Sequence, residues 1–263
     1  MHVFSKKELI KKLRHISEAG WIKNRRKGNQ GGIGNTLEDL LGIEENNLPI
    51  PNAAEWELKT QRKSTSALIT LFHMEPSPRA LKFVPKILLP KYGWKHQKAG
   101  TKYPDSEMSF RQTIHGKNYS DRGFIVNIDQ KNKKIFISFH PKKVDKKHFQ
   151  WLEEVKKRTG LKELSPHPYW GFDDLKHKAG TKLPNTFYVQ ADVKKDYKTK
   201  EEYYHYNKVL MLRGFNFESF LHYLEQGYIL VDFDARTGHN HGTKFRIRQS
   251  HFPFLYKKVK RLI

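Results

Sequence analysis

Cysteine is absent from this chain of 263 residues. Without thiols the protein has no disulfide, no thiolate zinc site and no cysteine nucleophile, and a reducing cytoplasm is the compartment we expect. Acidic residues are also scarce, because 27 Asp and Glu stand against 50 Lys and Arg and leave a formal net charge of +23. An excess of this size indicates a polyanionic partner, and nucleic acid is the first candidate.

Long apolar segments are missing as well. We find no run of 18 apolar residues, no signal peptide and no long amphipathic helix with a clean apolar face. A membrane surface is therefore the weaker choice of partner. Aromatic residues nevertheless make up 13% of the chain. A disordered chain would have few aromatics, so we predict a folded protein with one large domain or two small ones.

Helix and strand patterns follow one another without strict alternation, which predicts a mixed α+β fold or an α/β fold with a mixed sheet. Ser5 and Glu8 form a capping box for a helix that ends at Gly20, and Thr36 with Asp39 is interpreted as a second capping box. Further helices are predicted over 144–158, with Phe149, Leu152 and Val155 on the buried face, and over 217–227. Strands are predicted over 54–60, 66–72, 123–129, 134–139, 185–193, 203–212, 228–235 and 243–249, and those at 123–129 and 134–139 are predicted to form a hairpin across Gln130 to Lys133.

A short internal echo links QKAGTKYP at 97–104 to HKAGTKLP at 177–184. Eight residues are too few to establish a duplication. We interpret both copies as helix ends that stop at a glycine and carry flanking lysines. Phosphate contact is an additional role considered for the lysines of the two copies, Lys98, Lys102, Lys178 and Lys182.

The stretch PNAAEWELKT contains the pair Glu57 and Lys59. Residues two apart on a strand share a face, so the two side chains are expected to point the same way. A carboxylate there can hold a hard divalent cation, and a lysine can orient water and offset charge on a phosphate, as phosphodiester hydrolysis requires. Glu-x-Lys alone is weak evidence, but Glu38 upstream and the basic chain strengthen it. Glu55 on the same face is either a further ligand or a solvated neighbour.

Four segments together resemble a known family. RRKGNQGGIGNTLEDLLGIEENNLPIPN, EWELKT, SALITLF and HGTKFRI occur in order between about Trp21 and Ile247 and resemble the MvaI/BcnI type II restriction endonucleases, relatives of the mismatch-repair nicking enzyme MutH. The resemblance implies a PD-(D/E)xK core with a mixed sheet and two lobes around a DNA-clamping cleft. The catalytic lobe would cover approximately residues 1–140 with parts of the C-terminal region, and the recognition lobe approximately 141–250.

The same resemblance implies an activity. We expect a Mg²⁺-dependent, site-specific endonuclease that cuts double-stranded DNA at a short C/G-rich site. It would act as a monomer that nicks one strand and then the other, in a prokaryotic cytoplasm, alongside a cognate DNA methyltransferase. Two alternatives remain open: a non-cleaving, sequence-specific DNA-binding protein with a decayed nuclease site, and an RNA-binding protein suggested only by charge and aromatics.

Residue by residue, Glu38, Glu57 and Lys59 match the family's catalytic positions. The remaining family ligand is an Asp in a Pro-Asp context, and here that position is Asn52, after Pro51. The expected metal ligands are therefore Glu38, Asn52, Glu57 and Leu58, the last with only a main-chain oxygen to offer. Because an amide brings no negative charge, the Mg²⁺ site should be weakened. Either the chain is an inactivated Asp→Asn form that traps DNA uncut, which the otherwise intact motif favours, or it is a naturally weak relative, or Glu55 substitutes.

DNA contacts are expected at two places. The basic stretch KNRRK supplies backbone contacts, and the segment around HGTKFRI supplies base contacts by resemblance, because arginine forks suit the O6 and N7 acceptors of guanine. The backbone candidates are Arg25, Arg26 and Lys27. The candidates near the C-terminus are Arg236, His239, His241, Thr243 and Arg246.

Overall fold

The computed structural model of the chain describes residues 4–26, 32–43, 55–63 and 65–263. Within these ranges it contains six α-helices and fourteen strands, so the mixed α+β fold is confirmed. The helices are α1 (Lys6–Glu18), α2 (Gly32–Leu41), α3 (Leu89–Tyr92), α4 (Phe149–Thr159), α5 (Phe172–Lys182) and α6 (Phe217–Glu225). The strands are β1 (Ile22–Lys23), β2 (Trp56–Arg62), β3 (Leu68–His73), β4 (Trp94–Lys95), β5 (Met108–Ile114), β6 (Arg122–Asp129), β7 (Lys134–Val144), β8 (Tyr169–Gly171), β9 (Asn185–Lys195), β10 (Glu202–Phe215), β11 (Ile229–Arg236), β12 (His239–Asn240), β13 (Lys244–Arg248) and β14 (Tyr256–Arg261).

The chain forms two compact units. The described residues of unit 1 belong to Met1–Ile69, Lys178–Phe217 and Arg248–Ile263, and unit 2 comprises Thr70–His177 and Glu218–Ile247. These bounds differ from the lobes expected at about residues 1–140 and 141–250, because each unit is assembled from separate stretches of chain. The assignment of catalysis to one unit and recognition to the other stays a prediction.

Unit 1 is built on a five-stranded sheet in the order β1-β10-β9-β2, with β14 also paired to β10. Strands β2 and β9 run parallel, and this pairing sets Glu57 opposite Thr186 and Lys59 opposite Tyr188. Trp56 and the neighbouring apolar residues of the sheet join the buried faces of α1 and α2 in one apolar core. The predicted capping box of α1 is confirmed, since Ser5 and Glu8 bond to each other's main-chain N–H groups.

Unit 2 holds most of a six-stranded sheet and a separate three-stranded one. The larger sheet runs β3-β13-β11-β5-β4, with β12 also paired to β11, and the smaller runs β6-β7-β8. The predicted hairpin is confirmed, with Asp129 opposite Lys134 across its turn. No helix among the residues described here is long and apolar enough to cross a membrane.

The predicted second capping box was wrong. Helix α2 already begins at Gly32, so Thr36 lies inside the helix instead of at its start. The Thr36 side chain is buried, and its Oγ1 accepts a hydrogen bond from the Arg25 main-chain N–H at 3.2 Å and lies 3.3 Å from Asn24 Oδ1. In the sequence such a threonine resembles an N-cap. In the structure its hydroxyl group makes hydrogen bonds with the loop that precedes the helix.

The lysine-rich echo does not form two helix ends. Helix α5 continues through Gly180 to Lys182, whereas Gly100 of the first copy sits in a turn with φ +77°. The interpretation of both copies as helix ends was therefore wrong. Phe149 is also misplaced by the prediction: it is 50% exposed, while Trp151 and Val155 carry the buried face of α4.

Candidate active site

Glu57 is the most buried carboxylate of unit 1 among the described residues, with 2% of its surface exposed. Its Oε1 lies 2.9 Å from Lys59 Nζ, as the two-residue spacing on β2 predicts. Its Oε2 lies 3.2 Å from Lys182 Nζ, at the end of α5. One buried carboxylate thus stands between two ammonium groups, each of which keeps only 19% of its side chain exposed.

The second oxygen of Glu57 is the part of the site that can accept a cation. Although Lys182 is close enough for an ion pair, no donor reaches Oε2 with hydrogen-bond geometry among the described residues. A buried carboxylate oxygen that no hydrogen bond satisfies costs free energy, and a hard divalent cation is a ligand that would satisfy it. The chemistry of this oxygen fits Mg²⁺.

Two hydroxyl groups form the neighbouring wall. Thr186, opposite Glu57 in β9, has its Oγ1 2.6 Å from the Tyr256 hydroxyl oxygen, and both residues are buried. Burial raises the pKa of Tyr256, and the negative charge of Glu57 raises it further. Tyr256 therefore remains a neutral phenol, and it can hold Thr186 in place without adding charge to the site.

Glu38 belongs to α2, the helix that packs against the same strand. The helix packs against β2, and the half-buried Glu38 has its main-chain carbonyl bonded to the N–H of Ile43 at 2.9 Å. The two carboxylates of the predicted pair thus come from elements in contact. No cluster of three or more His, Cys, Asp or Glu side chains suited to a metal occurs in the described part of the chain. A complete cation site would therefore need an amide, a main-chain oxygen or a DNA phosphate as well.

Two of the expected residues, Asn52 and Lys27, lie outside the described residues. Glu55 is described and exposed, and its Oε1 accepts a hydrogen bond from the indole N–H of Trp56 at 3.1 Å. This bond uses one carboxylate oxygen of Glu55 next to the strand, so a role as a substitute ligand would fall to the other oxygen. Leu58 is buried with its side chain in the apolar core of unit 1.

Arg26 is tied to the protein itself. Its Nε and Nη2 donate to the two carboxylate oxygens of Asp39 in α2, at 3.2 and 2.8 Å. The hydrogen bonds from Arg26 hold the pKa of Asp39 below its ordinary value. The main-chain N–H of Arg25 donates to Thr36 Oγ1 at 3.2 Å, and its guanidinium acts on Asp39 through charge. Arg26 therefore orders the basic stretch, and Arg25 is the better candidate for a phosphate contact.

The candidates for base contacts lie in unit 2, and two of them are held in ion pairs. Arg236 Nη1 donates to the buried Glu107 at 3.0 Å, and the guanidinium lies 4.6 Å from the centre of the Tyr103 ring. Arg246 Nη1 donates to Asp232 at 3.0 Å. Such pairs fix the direction of an arginine fork.

The remaining candidates of unit 2 surround one loop. His239 and His241 are exposed, with ring centres 4.2 Å apart in an edge-to-face arrangement. Thr243 is fully buried, and its N–H and hydroxyl both donate to the Glu75 carboxylate. Glu75 and Thr243 thus support the loop, while the two histidines are presented to solvent.

Lys182 is the residue that sequence reasoning missed at this site. It was considered only as a phosphate contact in a lysine-rich echo, 125 positions after Glu57. Its approach to Glu57 depends on α5 leading directly into β9, the parallel neighbour of β2. The only sequence signal is a lysine just before a predicted strand, which does not reveal the strand's partner.

Comparison with known proteins identifies the family of this chain. The model of the MvaI/BcnI restriction endonuclease family matches residues 10–256. The chain belongs to the MvaI/BcnI restriction endonuclease family. The resemblance predicted from the sequence is therefore confirmed over nearly the whole chain, and membership supports a site-specific DNA endonuclease.

Solved structures agree with the family assignment. The structure "Restriction endonuclease MvaI-cognate DNA substrate complex" is 26% identical, covers 99% of this chain and 100% of its own, and gives a TM-score of 0.77. A second structure, "Restriction endonuclease MvaI in the absence of DNA", is 25% identical, with full coverage of both chains and a TM-score of 0.55. No curated protein matches the chain.

Proposed function

We propose that this chain is a type II restriction endonuclease that hydrolyses phosphodiester bonds of double-stranded DNA at a specific site with a divalent cation, Mg²⁺. The observation that carries the proposal is the buried Glu57 carboxylate, with Lys59 on one oxygen and no hydrogen bond from the described residues on the other. Family membership supports the reaction class, and the similar MvaI structure, a complex with its cognate DNA substrate, supports DNA as the substrate. Monomeric action by successive nicks and pairing with a cognate methyltransferase belong to the same proposal.

Each residue has a chemical role in this proposal. Glu38 and Glu57, with Asn52 and the main-chain oxygen of Leu58, would hold the cation, which supplies an activated water and stabilises charge on the phosphate. Lys59, held 2.9 Å from Glu57, positions the attacking water and offsets the negative charge that develops on the phosphorus oxygens. Thr186 and Tyr256 keep the wall beside Glu57 neutral.

We propose that DNA contacts both the KNRRK segment and the segment around HGTKFRI. Arg25 and Lys27 contact the backbone with Arg26, whose ion pair with Asp39 orients the stretch. In unit 2, Arg236, His239, His241 and Arg246 read base edges, where a bidentate arginine–guanine contact discriminates against a wrong base by about 1–3 kcal/mol. Unit 1 would then carry catalysis and unit 2 recognition.

Cleavage of plasmid DNA with Mg²⁺ tests the proposal in the unsubstituted chain, in Asn52→Asp and in Asn52→Asp combined with Glu57→Gln. We expect Asn52→Asp to cut at discrete positions and faster than the unsubstituted chain, because the restored carboxylate adds a charged ligand. Nicked circles should accumulate before linear DNA. The Glu57→Gln combination should lose cleavage while keeping DNA affinity. Cutting that survives Glu57→Gln would show that this glutamate is not a catalytic ligand.

A second candidate function is favoured by Asn52 alone, namely a non-cleaving, site-specific DNA-binding protein with a decayed nuclease site. Selection of duplexes from a randomised pool in EDTA would reveal specific binding under either proposal. Only the binding protein would leave the selected duplex uncut after Asn52→Asp in Mg²⁺. The end sequences of any cut DNA would identify the cleavage position directly.

A further inference from the structure

The charge around Glu57 poses a problem for any cation that binds there. A single buried carboxylate faces two ammonium groups, Lys59 on Oε1 at 2.9 Å and Lys182 on Oε2 at 3.2 Å. The three groups together carry a net positive charge before a cation arrives. A divalent cation on Oε2 would therefore meet like-charge repulsion from both ammonium groups, beside a carboxylate with only 3% of its side chain exposed.

Lys182 is the residue whose ammonium group competes with a cation for Oε2 of Glu57. Lys59 approaches Oε1 from the same strand, two residues away, so β2 itself fixes its position. Lys182 approaches Oε2, the oxygen that no described donor reaches with a hydrogen bond, from the end of α5. A long side chain at a helix end can reposition its ammonium without any change in the sheet, since its stem has several rotatable bonds.

We propose that Lys182 couples cation binding to DNA binding at this site. In the DNA-free protein its ammonium neutralises Glu57 and excludes a divalent cation from Oε2. When DNA is bound, a phosphate oxygen takes the Lys182 ammonium and Oε2 becomes a cation ligand. The inference rests on the proposed function, because it requires that Glu57 faces a DNA phosphate, and it makes Lys182 a positioning residue that prevents the site from loading without substrate.

The direct test measures binding of Ca²⁺, a hard cation that prefers oxygen ligands, by isothermal titration calorimetry. The proteins are the unsubstituted chain, Glu57→Gln, Lys182→Met, Lys182→Arg and Lys176→Met, each with and without Asn52→Asp. Lys176 is an exposed residue of the same helix and serves as the matched control. The DNA is a 30-bp duplex that the chain itself selects from a randomised pool in EDTA.

Without DNA, Lys182→Met should bind Ca²⁺ more tightly than the unsubstituted chain by about tenfold, because one like charge has been removed from the site. With the duplex, the two proteins should differ much less, so the DNA-dependent gain in Ca²⁺ affinity shrinks in the variant. Lys182→Arg and Lys176→Met should behave like the unsubstituted chain. By reciprocity, the Ca²⁺-dependent gain in duplex affinity, measured by fluorescence anisotropy, must shrink by the same factor.

A purely structural Lys182 predicts a different result. Lys182→Met would then lower the melting temperature and leave the ratio of Ca²⁺ affinities with and without DNA unchanged, and that outcome would overturn the inference alone. If Ca²⁺ binding to the DNA complex is not reduced by Glu57→Gln, or no protein in the set binds Ca²⁺, the cation site of the proposed function fails, and the inference fails with it.

Discussion

Among the described residues of unit 2, Asp121 has the most charged groups close to its side chain. Its carboxylate lies 2.7 Å from His148 Nε2, 3.2 Å from Lys147 Nζ and 3.8 Å from Arg122 Nη1. Burial by itself would raise the pKa of Asp121, but the hydrogen bonds from His148, Lys147 and Gln112 outweigh it and leave the pKa lowered. The ionised form of this residue is therefore favoured in the folded protein.

This lowered pKa predicts how Asp121 contributes to stability. A carboxylate whose pKa is lower when folded stabilises the protein above its ordinary pKa, and the contribution disappears as pH falls through the folded-state value. We expect Asp121→Asn to lower the free energy of unfolding at pH 7 by about 1 kcal/mol, since the side chain is one-third exposed and water screens the pairs. The difference from the unsubstituted chain should begin to shrink as pH falls to the ordinary carboxyl pKa, about 4, and should disappear only below the lowered folded-state pKa.

Thermal unfolding of both proteins between pH 3 and 8 measures this difference. Asp145→Asn is the matched control, because Asp145 is 58% exposed and 3.8 Å from Lys147. A stability difference that stays constant over the whole pH range would show that Asp121 acts through packing and not through its charge.

At the scale of elements, α2 depends on contacts that reach back to the loop before it. A Cβ at Gly32 would lie 2.9 Å from Asn24 Nδ2 and 3.0 Å from the Tyr204 hydroxyl oxygen, so a side chain at the first residue of the helix would force these neighbours to move. The Thr36 hydroxyl bonds the Arg25 N–H one turn later. Because α2 carries Glu38 and packs against β2, these contacts help to place the candidate cation ligand.

Thr36→Val should destabilise the protein by about 1–3 kcal/mol, because the shape is kept but a buried hydrogen bond to the Arg25 N–H is lost. Thr36→Ser keeps the hydroxyl and should cost less. Chemical unfolding followed by circular dichroism gives both values, and DNA affinity measured in parallel reports on the basic stretch. Equal stability of the Thr36→Val and unsubstituted proteins would mean that this hydrogen bond does not hold the loop.

Sequence patterns predicted the parts of the fold that rest on local rules. The capping box at Ser5, the β6–β7 hairpin and the common face of Glu57 and Lys59 all follow from spacings of two to four residues. Parallel pairing of β2 with β9 could not be predicted in this way, because its partners lie about 130 positions apart and no turn fixes the register. Lys182 was missed at the site for the same reason.

Other errors came from residues whose local preference was overruled by packing. Gly180 suggested the end of a helix, yet α5 continues past it. Burial of Leu175, Ala179 and Leu183 stabilises the continued helix. No strand is predicted between residues 73 and 121, yet β5 lies there. The resemblance to the family, by contrast, rested on several motifs in a fixed order, and the family model matches residues 10–256.

At the scale of the whole molecule, the formal charge of +23 is the dominant property. Some of this charge is compensated locally, as by Asp39 for Arg26 and by Glu107 for Arg236. Cations without such an acidic neighbour can replace counterions on DNA, and the release of those counterions makes affinity depend on salt. Charge on this scale would also attract RNA, so the salt response must be compared between the two polymers.

If the protein neutralises about eight phosphates, the logarithm of its affinity for a duplex should fall with the logarithm of salt concentration at a slope near −7. Arg25→Gln should reduce the steepness by about one, because it removes one phosphate contact. Asp39→Asn is the informative companion: it releases Arg26 from its ion pair, and the slope should not become shallower. Fluorescence anisotropy between about 50 and 200 mM KCl measures all three slopes, on the selected DNA duplex and on an RNA duplex of the same sequence. A flat response on DNA would contradict the role given to the charge, and a steeper and tighter response on RNA would favour the RNA-binding alternative.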